Sequence, residues 1–265
     1  YDEMQTFDNC LDEDFEAFDK RELREFIIAA GSIIIQTIDN VTQDGFKQAR
    51  EVLWDEIVRT VCVSISSVMM TKGGNPSGNP MTTVLNSWVN LLYHWYVFRK
   101  VTNMHSLEQF MANVKFRSFG DDVIQSISSS CYSKYNFISI KKTMLEIGQV
   151  VTMASKDNSL DDSIHKTADD LSFLKRSFAF NNFKQIVLSP LVKESIEGMF
   201  NWSAIPDNDV DCWSTALQEQ LLEACQWGKG YYDEFRLKLL GKVKSKDFQV
   251  GYPMLFNMCK VKLLK

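Results

Sequence analysis

Histidine and proline are scarce in this sequence, at three and five of 265 residues, and positive charge is in deficit. The 29 lysines and arginines face 34 aspartates and glutamates, a formal net charge of −5. Such a chain does not bind nucleic acid through its average field, so any RNA site must be a local basic surface against an acidic mean. The six cysteines (Cys10, Cys62, Cys131, Cys212, Cys225, Cys259) are scattered, none forms a CxxC pair, and only His94, His105 and His165 could assist them. That pattern argues against a zinc site or a disulfide framework and for reduced thiols in a cytosolic protein. No apolar run approaches the roughly 20 residues that a membrane helix needs. The opening YDEMQTFDNC is acidic, has no apolar stretch and no initiator Met. The expectation is therefore a fragment or processed product without a signal peptide.

What is present suffices for a core: 45% of residues are hydrophobic and 24% charged, unlike a disordered composition. The length fits one large domain or two small ones. No repeat or low-complexity tract interrupts it. From Arg21 to Ile38, LREFIIAAGSIIIQTI carries apolar residues on most faces and predicts a buried helix. A second helix is expected over residues 44–59. VCVSISSVMM alternates as a strand does and runs into TKGGNPSGNP, where Gly and Pro forbid regular structure. Thr82 to Lys100 predicts a long aromatic-rich helix, and Ser106 to Asn113 a short one. VKFRSFGDDVIQSIS reads as strand, tight turn, strand. Asn136 to Glu146 reads as helix, QVVTM as strand and FLKRSF as a short strand. From Ser189 onward the pattern is helical, with Pro190 near a helix start where its missing N–H costs little. Mixed sheet and helix followed by a helical block places a domain boundary near residue 179.

Three segments carry chemistry. Phe119-Gly120-Asp121-Asp122 sits between two apolar strands. A tight hairpin needs a residue tolerant of positive φ, which Gly120 supplies, and two adjacent carboxylates are then held at the tip. Hard cations such as magnesium favour such oxygen ligands. By itself Gly-Asp is also ordinary β-turn chemistry. A second acidic cluster, Asp14-Phe15-Glu16-Ala17-Phe18-Asp19, places Asp14 and Asp19 five apart, although an acidic helix N-terminus would look the same. Carboxylates from two segments can bridge two ions that activate a 3′-hydroxyl and stabilise leaving pyrophosphate. Third, the glycine-rich loop from Lys72 to Pro80 feeds the long helix. Such a junction offers backbone N–H groups and small side chains to a phosphate or sugar. Thr82 and Asn86 share one face of that helix, and a helix cap with a buried Asn is the plain alternative.

In order, these segments resemble motifs A, B and C of the RNA-dependent RNA polymerases of picornavirus-like positive-strand RNA viruses. GGNPSGNPMTTVLNSWVN is the most specific match, with paired glycines, Pro-Ser-Gly and a following Thr and Asn. QVVTMASK (Gln149 to Lys156) resembles motif D, Phe173-Leu174-Lys175-Arg176 matches the FLKR of motif E, and SPLVKESIEGMFNW is similar to the start of the thumb. The resemblance spans about residues 10 to 205. It implies an α+β fold: a right-hand polymerase palm, with a small antiparallel sheet backed by helices, over residues 1–178. A partial fingers insertion would lie at about 22–72 and a helical thumb over 179–265.

The resemblance also implies roles. Asp14, Asp121 and Asp122 would hold two Mg²⁺ ions, with Mn²⁺ as the substitute. Asp19 and Asn86 would read the ribose 2′-hydroxyl of an incoming NTP, with Ser77, Gly78 and Thr82 supporting them. A 2′-hydroxyl both donates and accepts, so a carboxylate and an amide satisfy it together. Lys156 would protonate the leaving pyrophosphate, and Lys175 and Arg176 would face primer-strand phosphates. Motif D is shorter here than in the family, and Asp157 follows Lys156 directly.

Implied partners are an RNA template and primer, NTPs, an upstream fingers region of the same polyprotein, a protein primer as relatives use, and a viral replication complex. The implied location is host cytoplasm at membrane-associated complexes. Only thirteen residues precede Asp14 and none is Lys or Arg. The family's basic fingertip motif is thus expected upstream, and the chain alone is expected to bind RNA poorly. Competing readings are a reverse transcriptase, which the Asn-bearing B helix argues against, and a catalytically silent interaction module of the same fold. The aromatics Trp88, Tyr93, Trp95, Tyr96 and Phe98 read as core, and the three histidines as structural or solvated.

Overall fold

The computed structural model describes residues 1–63, 65–76, 78–154, 166–181, 186–199 and 210–243. The chain forms two units, Tyr1–Leu174 and Lys175–Lys265, where the sequence placed its boundary between residues 178 and 179.

The first unit is built on a sheet whose central strand is acidic. After a 3₁₀ turn at Met4–Thr6 come β1 (Asn9–Phe15), α1 (Phe18–Arg21), α2 (Arg24–Thr42), α3 (Lys47–Val58), β2 (Val61–Val63) and β3 (Val68–Met70). Then follow α4 (Thr82–Thr102), α5 (Leu107–Asn113), β4 (Val114–Phe119), β5 (Asp122–Ile127), α6 (Ser129–Tyr132), α7 (Phe137–Glu146), β6 (Val151–Met153) and β7 (Ser172–Phe173). The main sheet runs in the order β4-β5-β1-β6 with antiparallel pairs throughout. β1 thus lies between two neighbours and is almost wholly buried. Side chains alternate across a strand. Leu11 and Phe15 join a core with Val89, Tyr93, Val97 and Phe98 of α4 and Ile140 and Met144 of α7.

The polar members of β1 are buried because each finds a partner. Asp12 is 1% exposed and accepts from Lys166 Nζ at 2.7 and 2.8 Å and from the Ser172 amide at 2.9 Å. Glu13 is paired with His94 and Gln125. The aromatics expected in the core are there: Tyr93 and Phe98 are buried, and Trp88, Trp95 and Tyr96 pack against them.

Several elements differ from expectation for local reasons. α2 buries one face only, through Ile27, Ala30, Ile34 and Ile35, and leaves Ile28 in solvent. VCVSISSVMM is an antiparallel hairpin, not one strand: Val61 pairs with Met70 and Val63 with Val68. FLKRSF is not a continuous strand either. Leu174 and Lys175 both adopt left-handed backbone (φ 54° and 59°), so the chain turns there.

The second unit contains β8 (Arg176–Ser177), β9 (Ala179–Asn181), β10 (Ile186–Leu188), α8 (Lys193–Gly198), α9 (Val210–Gln226) and α10 (Lys229–Val243). β9 and β10 form an antiparallel hairpin absent from the sequence reading. Pro190 lies near the start of α8, two residues before its N-cap Val192. Ile196, Leu221, Ala224, Cys225, Tyr232 and Phe235 make this unit's own core. Among the described residues, no helix is long and apolar enough to cross a membrane.

Candidate active site

Strand register brings the strand that carries Asp14 alongside the hairpin that carries Asp121 and Asp122. β1 pairs with β5 from Asn9↔Ile127 to Glu13↔Val123. Each step forward on β1 is one step back on β5, so the next opposed positions are Asp14 and Asp122. Directly opposed residues of an antiparallel pair project their side chains to the same face, with Cβ atoms about 5 Å apart. Asp121 follows at the hairpin tip, where Phe119 pairs with Asp122 and Gly120 takes φ 67°.

Their electrostatics record that proximity. Partial burial raises the Asp121 carboxyl above its ordinary value, and the charges of Asp14 and Asp19 add to the rise against backbone amides that lower it. Burial likewise raises Asp122, reinforced by Asp121, Asp14 and Asp12 and opposed by the Leu174 amide, which donates to Asp122 Oδ2 at 3.2 Å. Like charges crowded in this way disfavour their own ionisation, and a hard cation removes the conflict. The donor set is all oxygen and fits magnesium. Among the described residues, no three carboxylate, imidazole or thiol groups gather closely enough to make a complete ion cage; the acids stand as neighbours on two strands.

Beside them is a cleft of about 380 Å³, lined by residues including Asp19, Lys20, Thr82, Asn86, Asp121 and Asp122. Asp14 does not line it. Asp19 sits in the first turn of α1 and accepts from Asn86 Nδ2 at 2.5 Å. The loop before α4 wraps this pair. Asn75 donates its amide N–H to Asp19 O at 2.7 Å and its side-chain Nδ2 to Asn86 Oδ1 at 2.9 Å. Asn79 Nδ2 donates to Asn75 Oδ1 at 3.1 Å. Gly74 permits the approach, since a Cβ there would lie 2.9 Å from Asp19 O and its φ is +81°. The Thr82 hydroxyl donates to Asn79 O at 2.7 Å, so Thr82 secures the loop that carries Asn75. Nothing lies within 4 Å of where a Gly78 Cβ would stand. Ser77 and Lys156 lie outside the described residues.

α4 also grips the hairpin tip, through residues the sequence reading did not single out. Ser87 Oγ accepts from the Gly120 amide at 2.9 Å. Asn90 Nδ2 donates to the carbonyls of Gly120 at 3.1 Å and Asp121 at 3.4 Å. The spacing of Asn90 four after Asn86 was the available signal. The Leu174 amide had none, because a main-chain donor leaves no mark in sequence.

In the second unit, Arg176, expected from the sequence to face primer phosphates, is held by protein partners. Its guanidinium forms a two-pronged ion pair with Glu223 (2.9 and 2.7 Å) and donates to Ser189 O at 2.8 Å. It is a clamp inside its own unit. Lys175 beside it is exposed.

The family model for viral RNA-dependent RNA polymerase matches residues 1–244. The chain belongs to that family. Among curated relatives, this polymerase chain is 35% identical over 236 residues to the replication polyprotein of Nora virus, covering 89% of the chain and 11% of the polyprotein. It is 28% identical over 193 residues to the replicase polyprotein of Drosophila C virus, covering 71% and 11%. The polymerase chain thus spans about a ninth of the length of these relatives. Among solved structures, the Sicinivirus 3Dpol RNA dependent RNA polymerase matches with a TM-score of 0.78 at 16% identity, covering 97% of this chain and 51% of that one. That likeness bears on the fold: a small antiparallel sheet backed by helices, as expected from the sequence.

Proposed function

We propose that this chain is the catalytic part of an enzyme that transfers nucleotides from NTPs to an RNA 3′ end as directed by an RNA template, in the replication of a viral genome. The observation that supports the reading is the β1–β5 register, which runs to Glu13↔Val123 next to Asp14 and Asp122, with Asp121 at the adjoining tip and the Asp19–Asn86 pair lining the cleft. Asp14, Asp121 and Asp122 would hold the divalent ions, Mg²⁺ or Mn²⁺. Bound there, such ions would lower the pKa of the 3′-hydroxyl and offset charge on the leaving pyrophosphate.

The chain's own side chains do the rest. Asp19 and Asn86 line the cleft as a bonded carboxylate and amide, an acceptor and a donor of the kinds that a ribose 2′-hydroxyl needs. Thr82, Gly78 and Ser77 belong to the loop that holds this pair, and Lys156 is the proton donor that the motif D resemblance supports. Lys175 is the phosphate contact, since Arg176 is engaged with Glu223. Partners in this reading are template and primer RNA, NTPs, the fingers region of the same polyprotein, a protein primer and the other components of a replication complex at host cytoplasmic membranes.

The test is Asp121→Asn in the full-length polymerase. Template-directed incorporation should fall by about 10³-fold or more, with little change in the unfolding midpoint. An unchanged rate would instead favour a non-catalytic module.

A further inference from the structure

Three polar side chains stand in line on α4. Asn86, Asn90 and His94 are four residues apart, which stacks them along one helix face. All three are buried, at 3%, 0% and 0% exposure. Each holds a different part of the site. Asn86 reaches Asp19 and Asn90 the hairpin carbonyls. His94 Nε2 lies 2.8 Å from Oε2 of Glu13, the neighbour of Asp14 on β1.

The Glu13–His94 contact is not explained by packing. A carboxylate and an imidazole taken wholly out of water are costly unless every polar atom is matched. Here they are matched. Glu13 Oε1 accepts from Gln125 Nε2 at 2.5 Å, and Gln125 Oε1 accepts from the Tyr135 hydroxyl at 3.0 Å. His94 Nδ1 faces the Asn90 carbonyl at 2.8 Å. A carbonyl only accepts, so Nδ1 carries a hydrogen. Nε2 faces a carboxylate oxygen, so one proton lies on that line whichever partner holds it. Each bond then has one donor and one acceptor.

Apolar residues of similar volume would serve the core as well as a buried ion pair does. What the pair adds is a fixed position of β1 along α4. We propose that Glu13 and His94 are positioning residues that lock β1 to α4, so that Asp14, the hairpin acids and the ribose-reading Asn86 keep one spacing. This rests on the polymerase reading above. Neither residue lines the cleft, so their effect falls on turnover and not on nucleotide affinity. Displacements of about 1 Å at reacting groups cost about 10²-fold in rate.

The test compares the full-length polymerase with its Glu13→Met/His94→Leu double variant. Removing both partners orphans no charge between them and leaves only the Gln125 amide without its acceptor, so a modest loss of stability is expected. The expected result is a folded, cooperatively unfolding variant with a modestly lowered midpoint and a KM for NTP within about twofold. The kcat should fall by about 10–100-fold, with weaker discrimination of NTP from dNTP. Glu13→Gln, whose amide can accept from Gln125 and donate to His94, should retain most of the turnover. A folded double variant with wild-type kcat and discrimination overturns the proposal, as does one whose KM alone changes. A double variant that cannot fold also overturns it, because the pair would then be a requirement of the core. If the wild-type enzyme incorporates no NTP, the polymerase reading fails and takes this proposal with it; an active wild type with an unaffected variant sinks the proposal alone.

Discussion

Asn86 on α4 donates to Asp19 on α1 across 67 residues of sequence. This single hydrogen bond joins two of the three segments that carry the chemistry, and both partners line the cleft.

Discrimination between NTP and dNTP is therefore expected to depend on both. A deoxynucleotide offers this carboxylate and amide no 2′-hydroxyl, and a site built to bond a hydroxyl rejects its absence strongly. Asp19→Ala and Asn86→Ala should each lower the NTP-over-dNTP ratio of kcat/KM by about 10–100-fold. Single-nucleotide incorporation by the full-length enzyme checks this. Equal ratios in wild type and variants would remove ribose reading from this pair, and a preference for dNTP in the wild type would favour a reverse transcriptase.

Gly74 and Gly78 should respond differently to alanine. At Gly74 the added carbon meets Asp19 O at 2.9 Å on a left-handed backbone, whereas at Gly78 it meets nothing within 4 Å. Gly74→Ala should cost about 1–3 kcal/mol and Gly78→Ala less than about 0.5 kcal/mol. Denaturant midpoints at unchanged m-value measure both.

Lys175 and Arg176 adjoin in sequence but should separate in salt titrations. A lysine that neutralises one phosphate contributes about 0.7–0.9 to the slope of log K against log salt. Lys175→Ala should reduce the slope by that amount. Arg176→Ala should leave it unchanged and destabilise its unit by about 1 kcal/mol, modest because the pair with Glu223 is partly solvated. Equal slope changes in the two variants would show that Arg176 leaves Glu223 for RNA.

Glu22 gives the first unit a pH dependence. Both its carboxyl oxygens are buried without a hydrogen-bond partner among the described residues. Burial, then the charge of Asp19, raises its pKa from 4.5 to about 8. The folded state holds this proton more tightly than the unfolded chain, so the contribution is whole below about pH 4.5 and is lost as pH rises toward 8. Glu22→Gln should flatten the decline of Tm between pH 5 and pH 8. A wild-type decline that survives the substitution would assign it to another group.

What the sequence made legible was local. Gly120 between two period-two runs specifies its hairpin unaided, and the Asn and Thr after the glycine loop mark a helix start. What it hid was pairing at a distance. The strand Asn9–Phe15 looks like an acidic surface because nothing nearby shows His94 waiting for Glu13 or Lys166 for Asp12. Arg176 looks available until Glu223, 47 residues on, is seen to hold it. The turn at Leu174–Lys175 uses left-handed backbone without glycine, and neither residue type announces it. The β2–β3 hairpin likewise turns without Gly or Pro, so its two arms read as one alternating run.

The helix from Thr82 to Thr102 works as a ruler with three marks, and a ruler constrains length more than material. Each residue of an α-helix advances the direction of its side chains by about 100°. One residue inserted or removed between positions 86 and 94 would turn one end of the row away from its target while the other stayed in place. The spacing of this stretch therefore constrains the site by length, and a change of a single step would break it.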